Sequence, residues 1–508
     1  MKKILSVLSF ITLFFSVQAQ HKKSAEEFFH EGEIKLRSND LKIALEKFKN
    51  AMLLKPNFVE ARYNYAMIKN TLKDYQGALL EFDSIIFLKP NYSDAFFNRG
   101  ISKAKLNDHE NAIKDFNKVI SFNENNFEAF AYRGESECEM GKYSRAIKDF
   151  SKANKISSNF LNYFTKGNCE SKFGNYSQAL KDYSQAIILN PGFAEGYFRI
   201  GIIKDSLKDD PGAIEAFGRA IGLKPKYTDA YLKRANIKNR LEDYRGEIQD
   251  YNEIISIDPT YPNIYFCRAI AENKINSNQA ALEDFNRAIK ISTNDYSIYY
   301  QRANLMFKLV KYSEAILDYD KVTTLKPDFA QAYYYKGISK DSIKNYNGAI
   351  EDYNKTIELN PIAEVYVSRG ILKTKISDYQ NATEDFKKSI DLNLQTTEVY
   401  LYKGYCESEM ANCKEAIKDF DKIIELQSNH LLALYNRASC KYKLEDYSSA
   451  ISDYNMVISL KQDFADAFFY RGNANFKLGD KKQACTDWKK AMDMGIQKAK
   501  DNIAERCD

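Results

Sequence analysis

Histidine, tryptophan and proline are scarce in this chain of 508 residues, at 4, 1 and 9 copies. The histidines, His21, His30, His109 and His430, are too scattered to form a metal centre. No HExxH, Walker A loop, GxSxG elbow or GxGxxG after a strand occurs. With 9 Pro and 21 Gly the chain is neither collagen-like nor a Pro/Gly-rich disordered tract. A strong excess of either charge is also missing: 74 Lys and Arg face 69 Asp and Glu, for a net +5. That balance argues against a nucleic-acid binder. Acidic pairs are common, but they fall on charged helices, where they read as solvated surface. The expectation is therefore a non-catalytic protein with no cofactor and no metal.

Long apolar runs are missing too, except near the start. Met1-Lys2-Lys3 precedes an apolar stretch from Ile4 to Val17 and then Val17-Gln18-Ala19. A basic start, a short apolar core and small residues at the third and first positions before a cut define a secretory signal peptide, cleaved after Ala19. The stretch is too short to span a bilayer comfortably, and polar His21-Lys22-Lys23 follows. The mature chain is expected to be exported, to lack a membrane span, and to reside in the periplasm, at the envelope or outside the cell.

What the chain has in abundance is internal repetition. A Gly or Ala recurs from Gly32, Ala66 and Gly100 to Gly472, at spacings of 34 with two of 33. Calling this position 8, units begin at 25, 59, 93, 127, 160, 194, 228, 262, 296, 330, 363, 397, 431 and 465. Position 20 is Ala in thirteen of the fourteen, Glu247 being the exception. Position 24 is aromatic in every unit, from Phe48 to Trp488, and position 32 is Pro in seven. Positions 4, 7, 8 and 11 share one face of a first helix, and positions 20, 24 and 27 share one face of a second. Small residues at 8 and 20 let the two backbones approach, and the ring at 24 fills the space beside them.

This spacing resembles the tetratricopeptide repeat over residues 25–498. The resemblance implies an all-α, α-α superhelical solenoid of tandem helix-turn-helix units. Residues 1–19 are then a leader, 20–24 a short segment, and 499–508 the end of a capping helix and a tail. The chain departs from the family at position 11, mostly Lys or Glu instead of Tyr, and at position 7, mostly basic instead of Leu. Position 7 is Arg or Lys in eleven units, and position 23 is Asp in the same eleven, as in Arg99 with Asp115 and Arg302 with Asp318. The exceptions change together: Glu31 with Lys47, Tyr65 with Glu81, Ile200 with Ala216. Such covariation predicts an interhelical ion pair, worth at most about 1 kcal/mol if partly exposed.

Among the eight cysteines, Cys169, Cys406 and Cys440 share position 10 and read as buried thiols. A Cys485–Cys507 bridge would pin the final helix, and Cys406–Cys413 across a turn is the second candidate. In similar repeat proteins, positions 2, 5, 9 and 12 of the first helix line a concave groove. Position 5 is aromatic in ten units, including Phe97, Phe164, Phe198, Phe266, Tyr300 and Tyr334. Position 9 offers amides at Asn168, Asn236, Asn304 and Asn473, and position 2 is often acidic. The rings could grip an extended peptide or simply cover the neighbouring helix. The Lys and Asn pattern by which some family members clamp a C-terminal carboxylate is absent, since position 5 is never Lys. A scaffold binding a protein or peptide is thus expected. A glycan- or cell-wall-binding module and a self-assembling element are the alternatives.

Overall fold

The computed structural model describes residues 23–507, and the leader expected over 1–19 lies outside them. Among the described residues there are 29 helices and no strand. The chain divides into two compact units at Thr260 and Tyr261. The first unit contains seven helical hairpins, from Ala25–Arg37 with Leu41–Leu54 to Thr228–Arg240 with Tyr244–Ile257. The second contains seven more, from Ile264–Lys274 with Asn278–Ile291 to Ala465–Lys477 with Lys481–Asp493, then a single helix, Gln497–Arg506. Hairpins are numbered 1 to 14 in chain order. No helix among the described residues is long and apolar enough to cross a membrane.

Each hairpin closes on a left-handed residue at position 15, where φ is positive in all fourteen, from Asn39 to Gly479. That residue ends the first helix, because the next amide bonds back to the position-11 carbonyl, as Asp40 N does to Lys35 O at 2.9 Å. Position 16 then caps the second helix: the Asp74 carboxylate accepts from Gly77 N at 2.9 Å. The ring at position 24 lies across the facing glycine or alanine at position 8. A Cβ on Gly337 would stand 2.6 Å from Tyr353 Cε1, so the ring itself enforces the small residue there. All fourteen rings are buried, as are the thirteen alanines at position 20. The second helix of each hairpin packs on the first helix of the next within its unit, and neighbouring first helices also touch. Each stack therefore presents its first helices along one face, called here the inner face.

Val310 is the one β-branched residue in the left-handed turn, at φ 61° and well exposed. A branched Cβ is strained there, whereas Asn tolerates the conformation. Val310→Asn should raise the urea midpoint, by up to about 1 kcal/mol of stability. An unchanged or lower midpoint would show that the turn carries no strain.

Candidate functional site

The inner face is shaped by a buried charge at the heart of most hairpins. Asp at position 23 projects from the second helix toward the first and is buried in all eleven hairpins that carry it. Such a carboxylate requires a cation and hydrogen bonds beside it. Arg302 supplies both, donating from Nε and Nη2 to the two oxygens of Asp318 at 2.6 and 2.6 Å. Arg99 grips Asp115 in the same fork at 2.9 and 2.6 Å. Lys166, Lys336 and Lys403 place a single ammonium on Asp182, Asp352 and Asp419. In seven hairpins the same cation also reaches position 25 of the preceding hairpin, as Arg99 does to Asp83 at 2.7 Å and Arg471 to Asn455 at 2.6 Å. Burial corrects the small energy expected of exposed pairs: removing one partner here leaves an uncompensated charge in the core. Hairpin 1 carries the pair reversed, Lys47 to Glu31 at 3.0 Å, and hairpin 6 replaces it by buried Ile200 and Ala216. In hairpin 2, Glu81 is held by Arg62 rather than by position 7.

Position 11 completes this arrangement. Lys103, Lys238, Lys340, Lys373 and Lys441 each add a second cation to the same Asp, at 2.7–2.9 Å. Hairpins 4, 5, 8 and 12 have Glu137, Glu170, Glu272 and Glu407 instead, all buried. Burial pushes the Glu137, Glu170 and Glu272 carboxyls above their ordinary range, Glu272 to about 7, with Asp284 adding to the effect.

The aromatic candidates at position 5 are taken up by packing. Phe97, Phe164, Phe198, Phe266, Tyr300 and Tyr334 each lie against the position-24 ring of their own hairpin, at 5.6–6.2 Å between centroids. Six position-5 rings are covered from the other side by a ring at position 34, as Phe164 is by Phe193 at 4.9 Å. Phe198 is only 8% exposed. The amides at position 9 have a similar duty. Asn168 Oδ1 accepts from Tyr183 Oη at 2.8 Å, and Asn304 Oδ1 from Tyr319 Oη at 2.7 Å. Asn473 Oδ1 accepts from Trp488 Nε1 at 2.9 Å. Each satisfies the polar tip of a buried core ring, which would otherwise be costly. Asn236 is exposed; Tyr251 Oη donates instead to Glu247, the residue that replaces alanine at position 20.

The sulfurs require a correction. Cys406 and Cys413 are not bridged; both are free and buried. Position 10 turns toward the preceding hairpin, so Cys406 Sγ meets Thr374 Oγ1 at 3.1 Å rather than reaching across its own turn. By the same geometry Cys169, expected to be a core thiol, is bonded to Cys138 at position 12 of hairpin 4. Cys485 and Cys507 are also bonded, which ties helix Gln497–Arg506 to the last hairpin. Pairing of position 12 with position 10 of the next hairpin recurs where Ser102 Oγ donates to Asn70 Oδ1 at 2.8 Å.

Two adjoining cavities open on the inner face of hairpins 4 to 6, of about 290 and 180 Å³. The larger is lined by the Cys138–Cys169 disulfide, Asn168, Glu139, Lys172 and Arg199. The smaller is lined by Glu128, Ala131, Tyr132, Phe150 and Asn162, and both share Glu135 and Thr165.

Family models described as tetratricopeptide repeat match residues 93–126, 164–228 and 466–493. The chain is a tetratricopeptide repeat protein. No curated protein matches it. Solved structures with a similar fold include MamA, at 24% identity over 33% of this chain and 91% of that one, TM-score 0.32. YrrB, titled a tetratricopeptide repeat protein with an unusual peptide-binding site, is 24% identical over 37% of this chain and 96% of its own, TM-score 0.35. The C-terminal part of a repeat protein from Cytophaga hutchinsonii is 21% identical over 47% and 99%, TM-score 0.40. These likenesses concern the fold. Against the repeat pattern, the inner face of this tetratricopeptide chain is hollow at hairpins 4 and 5.

Asp318→Ala should cost about 3–5 kcal/mol by stranding Arg302, while Arg302→Ile with Asp318→Ala, the hairpin 6 solution, should recover most of it. Urea denaturation of the three chains checks this; a double variant no better than the single would contradict it. Glu272 has a raised folded pKa, so the stability it contributes is present below the unfolded value near 4.5 and is lost as pH rises through about 7. Glu272→Gln should therefore stabilise at pH 8 and lose that advantage by pH 4. Thermal unfolding at both pH values measures the difference, and a gap independent of pH would refute it.

Proposed function

We propose that this tetratricopeptide repeat protein is an exported, non-catalytic scaffold that holds a protein or peptide partner along its inner face. Partner binding is the general role of the repeat, and YrrB is described as binding peptide. The observation that carries the reading is the recurrence of the ion-paired core, with a buried position-23 Asp in eleven hairpins. In seven hairpins the same cation also bonds to the hairpin before, which spaces the first-helix side chains regularly within each compact unit. A rigid surface of that kind costs little ordering on binding. Export rests on the Lys2-Lys3 start, the apolar stretch and Ala19. Six of the ten position-5 rings that a glycan-binding reading would use for stacking are covered by other rings, which weakens that reading.

Two measurements test the reading. The amino terminus of the chain recovered from its own cells should begin at Gln20 and fractionate outside the cytoplasm; an intact Met1 in the cytoplasm contradicts export. Cross-linking in those cells should join a protein partner to first-helix residues. Cross-links confined to second helices, or none, contradict the inner-face role.

A further inference from the structure

The smaller cavity exists because three repeat positions fail together. Hairpin 4 has Ala131 where ten hairpins have an aromatic at position 5, and its unit is 33 residues long, so no ring at position 34 covers the gap. Phe150, the core ring of hairpin 4, consequently forms part of the cavity wall. The third departure is Asn162, at a position otherwise held mostly by buried alanine or another apolar residue, such as Ala129, Ala230 and Ala332. Asn162 is 8% exposed and lines the cavity, and its Nδ2 has no hydrogen-bond partner. An amide donor buried without a partner is costly unless an acceptor arrives from elsewhere.

Charge surrounds this donor on one side. Glu128 and Glu135 both line the cavity and are exposed, and neither forms an ion pair among the described residues. By contrast, Glu26 and Glu60, the counterparts of Glu128 in hairpins 1 and 2, are neutralised by Lys55 and Lys89. Glu135 and Glu128 flank Tyr132, whose phenol is raised by burial and then by these two carboxylates. The Tyr132 ring is fixed edge-on to Phe97 at 5.5 Å and stacked on Phe116 at 6.0 Å. An aromatic wall, two free carboxylates and one unmet amide donor are the complement of a basic side chain on an extended backbone.

We propose that the hollow between hairpins 4 and 5 is a specificity pocket for a Lys or Arg side chain of an extended peptide segment. Glu128 and Glu135 hold the cation, the Tyr132 ring lies beside its stem, and Asn162 Nδ2 donates to a peptide carbonyl. The disulfide-lined cavity continues from Glu135 toward hairpin 6 and accommodates the following residues of the segment. This inference rests on the partner-binding reading above and gives it a location and a chemistry.

The test is a displayed library of random, unstructured 12-residue peptides, selected on the full chain and on the E128Q/E135Q chain. Both carboxylates are exposed, so the variant should unfold at the wild-type temperature. Selection on the wild type should enrich Lys or Arg at one fixed position, and the variant should lose that enrichment. The best peptide should bind at least tenfold more tightly than its norleucine counterpart, and N162L should weaken it as well. Enrichment without a basic residue, or unchanged by E128Q/E135Q, overturns the pocket and leaves the scaffold reading standing. No enrichment on either chain overturns the pocket together with peptide binding by this face.

Discussion

A carboxylate that cannot reach water must be met by a cation held in a fixed place. Asp at position 23 imposes that demand in eleven hairpins, and the guanidinium or ammonium at position 7 answers it. The fork geometry fixes the rotation of the first helix against the second, because an Arg displaced along its helix would lose both bonds at once. Its third contact, to position 25 of the hairpin before, extends the constraint from within a hairpin to between hairpins. Hairpin 6 shows that the space can be filled apolarly by Ile200 and Ala216, so the pair is not the only solution. What the pair adds is register: an apolar contact tolerates sliding, and two short charged hydrogen bonds do not.

Much of the remaining pattern follows from this core. Lys at position 11 supplies a second cation, while Glu272 and its counterparts leave some hairpins with two carboxyls and one base. In four of the six hairpins where position 24 has a polar tip, an amide or hydroxyl at position 9 meets it, as with Asn168, Asn304, Ser439 and Asn473. Aromatics at 5, 24 and 34 stack against one another in six hairpins, as Tyr183, Phe164 and Phe193 do. Against so regular a background, the loss of a ring at Ala131 and the placing of Asn162 in an apolar position stand out as local departures.

The hairpin architecture was legible in the amino-acid sequence because small, aromatic and Pro positions recur with one period. The 7 and 23 pairing was legible because opposite charges change together, down to the reversed Glu31 and Lys47. Other features need the helix faces in three dimensions. Position 5 reads as groove-lining until Phe193 and Phe329 are seen covering Phe164 and Tyr300. Asn168 reads as a ligand donor until Tyr183 is seen donating to it. Cys138 with Cys169 was hidden because the bond joins different positions of successive units, 12 and 10, whereas Cys406 and Cys413 are close only along the chain. The hollow at hairpin 4 combines an unremarkable alanine with a one-residue deletion, and neither signals a cavity by itself.

In the first compact unit an ion-paired stack presents to a partner a hollow with two unpaired carboxylates, Glu128 and Glu135, at its rim. Hydrogen exchange of the full chain, with and without a partner isolated by cross-linking, tests this most directly. Partner-induced protection should concentrate in the first helices of hairpins 4 to 6, Phe127–Glu139, Phe160–Lys172 and Ala194–Ser206, with the second helices unchanged. Protection spread evenly over all hairpins, or confined to second helices, would contradict it.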